Sequence, residues 1–226
     1  MRIKKPFKFG CNISPIKGAS RSEMIGFFVV HSRVLVCYIF VYLTMNSIIT
    51  TDRLIIRNWL ESDISSLVQM NKDQDVMRYF LSTMSDEESF DLYNRIIAHF
   101  NKNGFGLYVV EAKDNNEFLG YTGCMIADFE SDFTPCIEIA WKFNKQFWGK
   151  GFATEAAKAC LEYGFSKLHF EKVHSFTSIH NIKSEAVMRR IGMSKTGEFN
   201  HPKVPVDNEL RIHVNYVIEK EDYNLL

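Results

Sequence analysis

Gly149 and Gly151 lie within Gln146-Phe147-Trp148-Gly149-Lys150-Gly151-Phe152-Ala153-Thr154-Glu155, directly ahead of a helix-patterned run. The chemistry open to such a turn is anion binding. The first N–H groups of a helix have no partners inside it, and the helix dipole adds roughly half a positive charge at the same end. A pyrophosphate meets both needs. Glycines without Cβ atoms let the backbone approach the anion closely, and Lys150 adds a formal charge. A P-loop would need G-x-x-x-x-G-K-[ST], and no stretch supplies it. The dinucleotide fingerprint G-x-G-x-x-G is half present, but Thr154 stands at its third glycine, and bulky Phe147 and Trp148 occupy the strand-to-helix turn. A dinucleotide-binding protein is therefore the weaker reading.

Other reactive groups point nowhere comparable. Five cysteines, Cys11, Cys37, Cys124, Cys136 and Cys160, are widely spaced in apolar runs and read as reduced thiols. Cys124 and Cys136 lack the basic or helix-terminal neighbours of a thiolate nucleophile. The seven histidines show no paired ligand spacing, so no metal is implied. There is no G-x-S-x-G elbow for a serine hydrolase. Imidazole titrates near neutral pH, which makes His201 and His213 candidates for proton transfer. Without sequence partners, they read as structural residues or acceptor-pocket contacts.

The string Gln146-x-x-Gly149-x-Gly151 resembles the Q/R-x-x-G-x-G/A motif of the GCN5-related N-acetyltransferases (GNAT). Phe152-Ala153-Thr154-Glu155-Ala156 is similar to the subgroup that includes ribosomal-protein N-terminal acetyltransferases. Asn181-Ile182-Lys183-Ser184, leading through Met188 to Ile191-Gly192-Met193, resembles the family's N-x-x-S. Two further stretches look like the subgroup's closing hairpin region: Phe199-Asn200-His201-Pro202-Lys203, and the strand from Leu210 to Tyr216. With Asp52 to Arg57 at the front, the likeness spans about residues 51 to 222.

The resemblance implies a GNAT-like α/β fold, a mixed and mostly antiparallel sheet flanked by helices. It also implies acetyl-CoA as donor, its pyrophosphate held by Gln146, Gly149, Lys150, Gly151, Phe152, Ala153 and Thr154. Transfer to an amine needs a base, because the acceptor is mostly protonated at neutral pH. Glu138, in the strand before the turn, is the candidate. The matching family strand splays from its neighbour, contacts the pantetheine arm and often carries the base. A backbone N–H of Ile139 or Ala140 would polarise the thioester carbonyl. Asn181 would touch the pantetheine arm or simply cap its helix, and Ser184 would approach the sulfur and protonate the leaving thiolate, with Tyr216 as fallback acid. The acceptor would be a protein N-terminus or a small amine, in a pocket built from residues 59–80 and 126–135. The non-enzymatic alternative is an acyl-CoA-binding module.

These groups need a scaffold, and the patterning supplies one. Cys136 to Phe143 has strand composition, and alternation puts Glu138, Ala140 and Lys142 on one face with Ile137, Ile139 and Trp141 on the other. Apolar residues from Ala153 to Leu168 recur at helical spacing. Leu54 to Trp59 reads as a strand, Ser62 opens a helix toward Asn71, and Asp75 to Phe80 reads as a second helical piece. Ser85-Asp86-Glu87-Glu88 is a capping box for a helix that Gly104 stops. Phe105 to Lys113 and Phe118 to Asp128 form a hairpin. A strand at Lys172 to Ser178, a helix from Ile182 to Ile191, and strands near Thr196 to Phe199 and Arg211 to Glu219 complete a mixed α/β domain.

The chain has 226 residues, with 27 basic and 27 acidic. Residues 1–45 hold seven of the basic residues and one acidic, Glu23, so the remaining 20 and 26 make the catalytic region acidic. That balance disfavours nucleic acid, which is bound chiefly through Lys and Arg, and suits a cationic amine. Met24 to Leu43 is largely apolar, but His31-Ser32-Arg33 interrupts it, and an arginine at a helix centre costs about 2.5 to 3.5 kcal/mol on insertion. Neither a membrane span nor a signal peptide fits well. The expectation is a cytoplasmic enzyme starting at Met45, with residues 1–45 as a leader and an acetyltransferase domain over 51–222.

Overall fold

The computed structural model describes residues 47–223 and Leu225, so the expectations for the leader lie outside the described residues. In chain order the elements are β1 (Ser47–Thr50), β2 (Leu54–Arg57), α1 (Ile64–Lys72), α2 (Asp86–Asn103), β3 (Leu107–Ala112), β4 (Phe118–Ala127), β5 (Cys136–Phe143), α3 (Phe152–Ser166), β6 (Lys172–Ser178), α4 (Ile182–Arg190), β7 (Ser194–Asn200), β8 (Ile212–Glu219) and α5 (Lys220–Tyr223). The eight strands form one sheet in the order β1-β2-β3-β4-β5-β6-β8-β7. Every neighbouring pair is antiparallel except β5 and β6, which run parallel and share a single register pair, Glu138 with His174. The expected mixed, mostly antiparallel sheet flanked by helices is therefore present.

Both faces of β3 are covered, which is why all six of its residues are buried. Tyr108 and Val110 join a core with Ala156, Ala157, Cys160, Leu161 and Phe165 of α3. Leu107 and Val109 face the other way, into a second core with Leu67 and Met70 of α1, Ile96 of α2, and Trp59. Burying this apolar surface, at roughly 25 cal/mol per Å², is the main drive for the sandwich. Trp59 is buried in this core and donates its indole N–H to the Leu107 carbonyl at 2.7 Å.

The local signals act as their chemistry requires. Ser85 accepts from the Glu88 N–H while the Glu88 carboxylate accepts from the Ser85 N–H, and Gly104 ends α2 at φ +77°. The region 75–80 forms successive turns instead of the expected helix. The Asp73 carboxylate accepts from the Asp75 and Val76 N–H groups, and short bonds such as Phe80 to Met77 replace a helical ladder. The first strand ends at Arg57, two residues before Trp59, where the Arg57 guanidinium is drawn between Asp63 and Glu111. Strand β1 had no counterpart in the sequence reading; four residues without alternation give no period-2 signal.

Candidate active site

The parallel junction of β5 and β6 holds the site. Pairing beyond Glu138 and His174 lapses, and the gap is bridged by a side chain, with Ser175 Oγ donating to the Ile139 carbonyl at 2.9 Å. On the opposite side, Thr122 Oγ1 donates to the Ala140 carbonyl at 3.0 Å, within the continuous β4–β5 ladder. Because the N–H and C=O of one strand residue point to the same side, Ile139 and then Trp141 turn backbone groups toward the splay, while those of Ala140 stay in the ladder.

Alternation places the side chains as the sequence suggested. Ile139 is fully buried in the α3 core, with Ile137 and Trp141 against it, and Ala140 packs toward the opposite core. Glu138 is half-buried on that second face, and among the described residues no side chain hydrogen-bonds to its carboxylate. Burial raises its pKa from 4.5 to about 8, with the positive charge of Lys203 acting the other way. Two positions along the same face sits Ala140, and two further is Lys142, buried under α1 and the 75–80 turns. Its Nζ lies 3.2 Å from both Asn71 Oδ1 and Met77 Sδ, and 4.2 Å from the Phe80 ring centroid. Burial without a carboxylate partner lowers its pKa to about 7.

The glycine turn follows directly. Gly149 and Gly151 have φ of +75° and +82°, the left-handed region that a side chain disfavours. Gly151 is the N-cap of α3, and no side chain caps that helix, so the N–H groups of Gly151, Phe152, Ala153 and Thr154 face outward without intrahelical partners. Lys150 is exposed beside them. Gln146 leans away: its Nε2 donates to Glu117 Oε1 at 3.1 Å.

A residue that sequence reasoning did not assign sits here. Arg53 donates to the Lys150 carbonyl at 3.0 Å and to Glu155 Oε2 at 2.7 Å, and its guanidinium lies 4.5 Å over the Phe152 ring. Glu155 also accepts from Thr51 Oγ1 and the Arg53 N–H, which keep its carboxylate ionised against the cost of burial and hold it in the strand-side network. Separated by about a hundred positions, Arg53 and the turn have no local signal that would link them.

Asn181 and Ser184 open α4. Asn181 Oδ1 accepts from the Ser184 N–H at 3.3 Å, and its Nδ2 donates to Thr177 Oγ1 and Ser184 Oγ, each at 3.0 Å. Asn181 is thus a helix cap whose polar atoms are engaged, and it orients Ser184 while leaving the Ser184 hydroxyl proton free to donate. Lys183 Nζ stands 4.6 Å from the Trp148 ring, which puts the first turn of α4 beside the glycine turn. Tyr216 is committed elsewhere, its hydroxyl donating to Glu185 Oε1 at 2.7 Å. Burial pushes the Cys136 thiol to about 11 and Cys160 to about 12, so neither is a ready thiolate. Among the described residues no three or more His, Cys, Asp or Glu side chains converge to hold a metal ion.

A splayed parallel junction, an unpaired carboxylate beside it and an uncapped glycine-led helix place a weak acid next to a seat suited to an anion. The Acetyltransferase (GNAT) domain family matches residues 53–194, and the chain belongs to it. An uncharacterised N-acetyltransferase of Bacillus subtilis, YnaD, is 31% identical over 179 residues, covering 78% of this chain and 99% of that protein. The spermidine N(1)-acetyltransferase of Escherichia coli K12 is 27% identical over 148 residues, covering 62% of this chain and 72% of that enzyme. Among solved structures, a GNAT-family acetyltransferase from Bacillus anthracis matches with a TM-score of 0.63 and 28% identity, over 76% of this chain and 98% of its own. The protein is an acetyltransferase of the GNAT class.

Proposed function

We propose that the enzyme moves the acetyl group of acetyl-CoA directly to a primary amine, with Glu138 as the base. The observation that carries this reading is the Glu138 carboxylate, unpaired and half-buried where the β5–β6 pairing lapses. The acceptor amine gives a proton to Glu138, directly or through water, and its nitrogen attacks the thioester carbon. The C–N bond forms and the C–S bond breaks. The nitrogen sheds its second proton as the departing thiolate takes one, and the Ser184 hydroxyl, held by Asn181 at the entrance of α4, is placed to relay it. Backbone N–H groups on the splayed edge of β5, from Ile139 toward Trp141, polarise the carbonyl; the earlier alternative, Ala140, points its own N–H into the β4 ladder. The amides of residues 151–154, with Lys150 and Arg53, seat the pyrophosphate.

A small amine is favoured over a protein N-terminus by the likeness to the spermidine enzyme. Elevated thiol pKa values at Cys136 and Cys160 speak against an acyl-cysteine step and for transfer within a ternary complex. The test incubates the protein with acetyl-CoA and a panel of amines, following free thiol release and product mass. Acetyl-CoA-dependent N-acetylation that Glu138→Gln abolishes, with cofactor affinity retained, is expected. Cofactor binding with no acetylation of any amine would favour an acyl-CoA-binding module instead.

A further inference from the structure

The half of the sheet beyond Glu138 is covered on the Glu138 face by aromatic rings, not by a helix. Directly paired residues share a face, so the register chain Glu138–His174, Phe176–Asn215, Asn215–Gly197 and Phe199–His213 sets His174, Phe176, Phe199 and His213 on one side with the carboxylate. The β4–β5 loop folds over them. Along that loop Asp128, Glu130 and Asp132 are exposed, while Phe129 and Phe133 turn in. Phe133 stacks on His174 at 5.3 Å and 11°, which brings the ring layer to the residue paired with Glu138. Phe129 is 5.3 Å from Phe176 and 6.0 Å from Phe199, and His201 is 4.7 Å from Phe129 and 4.9 Å from His213.

Two properties of this layer matter for an acceptor. Its four phenyl rings are half-buried and so retain accessible apolar area, whereas His174 beneath Phe133 is buried. The carboxylates of its covering loop, Asp128, Glu130 and Asp132, are exposed to solvent. Burial lowers the pKa of both His201 and His213, the former to about 4, so both are neutral near pH 7. The charges that act on these groups are positive, Lys203 on Glu138 and His201, and Lys172 on His174. A polyamine reaching Glu138 would bring a second ammonium toward phenyl rings, which attract a cation only weakly, and toward Lys203, which repels it, where a buried carboxylate partner would be needed for strong recognition.

We infer that the acceptor is a small primary amine joined by a short linker to an aromatic or comparably flat apolar group, which rests on the ring layer of Phe129, Phe133, Phe176 and Phe199 while its nitrogen meets Glu138. The inference rests on the amine-transfer reading above and names its acceptor class. Edge and face contacts from four phenyl rings favour an aromatic guest, and the positions where charge would be recognised are occupied by neutral imidazoles.

The experiment compares kcat/KM of the full-length enzyme for 2-phenylethylamine, butylamine, spermidine and a short peptide with a free N-terminus, with acetyl-CoA saturating. Phenylethylamine is expected to exceed butylamine and spermidine by about 10- to 100-fold, the discrimination that apolar pockets achieve. In Phe133→Ala the phenylethylamine-to-butylamine ratio should collapse toward one, and Phe133→Leu, which keeps apolar volume, should restore part of it. Should the alanine variant misfold, the wild-type ratio decides alone. Turnover with spermidine or the peptide preferred, or with phenylethylamine no better than butylamine, overturns the aromatic-acceptor inference and leaves amine transfer standing. No turnover with any amine overturns both.

Discussion

Replacing Glu138 with glutamine keeps the shape of the side chain and removes its titration, so it isolates the proposed base. In the wild type, burial holds the carboxyl near pKa 8. About a tenth of the molecules then carry the ionised base at pH 7 and about nine-tenths at pH 9, so kcat/KM should climb roughly ninefold across that interval from Glu138 alone. The acceptor enters protonated in this scheme, so below its own pKa, near 10, it adds no slope to that of Glu138. In Glu138→Gln the inflection near 8 should vanish and kcat/KM at pH 9 should fall by about 10²- to 10⁴-fold, with the KM for acetyl-CoA unchanged. Folding offers a second readout. The native carboxyl holds its proton to about pH 8, whereas the unfolded one releases it near 4.5. The native state binds more protons between those values, and its stability falls as pH rises through that window by up to about 1.4 kcal/mol per unit, a slope the glutamine variant lacks. Initial rates from thiol release between pH 6 and 9.5, with urea unfolding at the same values, measure both. A wild-type inflection at 4 to 5, or a variant with full activity and an unaltered profile, would refute the assignment.

Three further outcomes follow from the same structure. Gly151→Asp should raise the acetyl-CoA Kd at least tenfold by calorimetry, because a carboxylate would stand where four outward amides receive phosphate and a side chain would strain the φ of +82°; unchanged affinity would place the pyrophosphate elsewhere. Lys142 loses its proton near pH 7 when folded and near 10.5 when unfolded, so its penalty is largest below 7 and fades as pH rises to 10.5; Lys142→Met should raise Tm relative to wild type at pH 6 and lose that advantage by pH 10. A Tm difference that does not vary with pH would contradict the burial of that ammonium. Arg57→Ala should cost about 3 to 5 kcal/mol in urea unfolding, since it strands Asp63 and Glu111, both buried, and Glu111 Oε1 already lacks a partner. A loss below about 1 kcal/mol would show that water reaches the triad.

Local chemistry was enough to read the elements that frame the site. The Ser85 capping box, the Gly104 stop, the alternation of Cys136–Phe143 and the apolar period of α3 each depend on neighbours within a few residues, and each appears in the structure. The glycine turn was legible for the same reason: its positive φ values and outward amides are properties of residues 149–154 themselves. The helical reading of 75–80 failed because its backbone bonds close short turns, as from Arg78 to Asp75 and from Phe80 to Met77, an outcome that apolar spacing does not report.

What the sequence determined by itself was therefore the identity and order of the parts: a strand with one carboxylate among apolar neighbours, a glycine turn with outward amides, and a helix capped by Asn181. The environment of those parts was settled only by the fold. Glu138 became a weak acid, Arg53 was brought to the glycine turn from about a hundred residues away, and four phenylalanines from a loop and two strands were gathered on the face beside the carboxylate. Hydrogen bonds along a chain report short distances, whereas desolvation and ring packing depend on which distant strands the sheet makes neighbours.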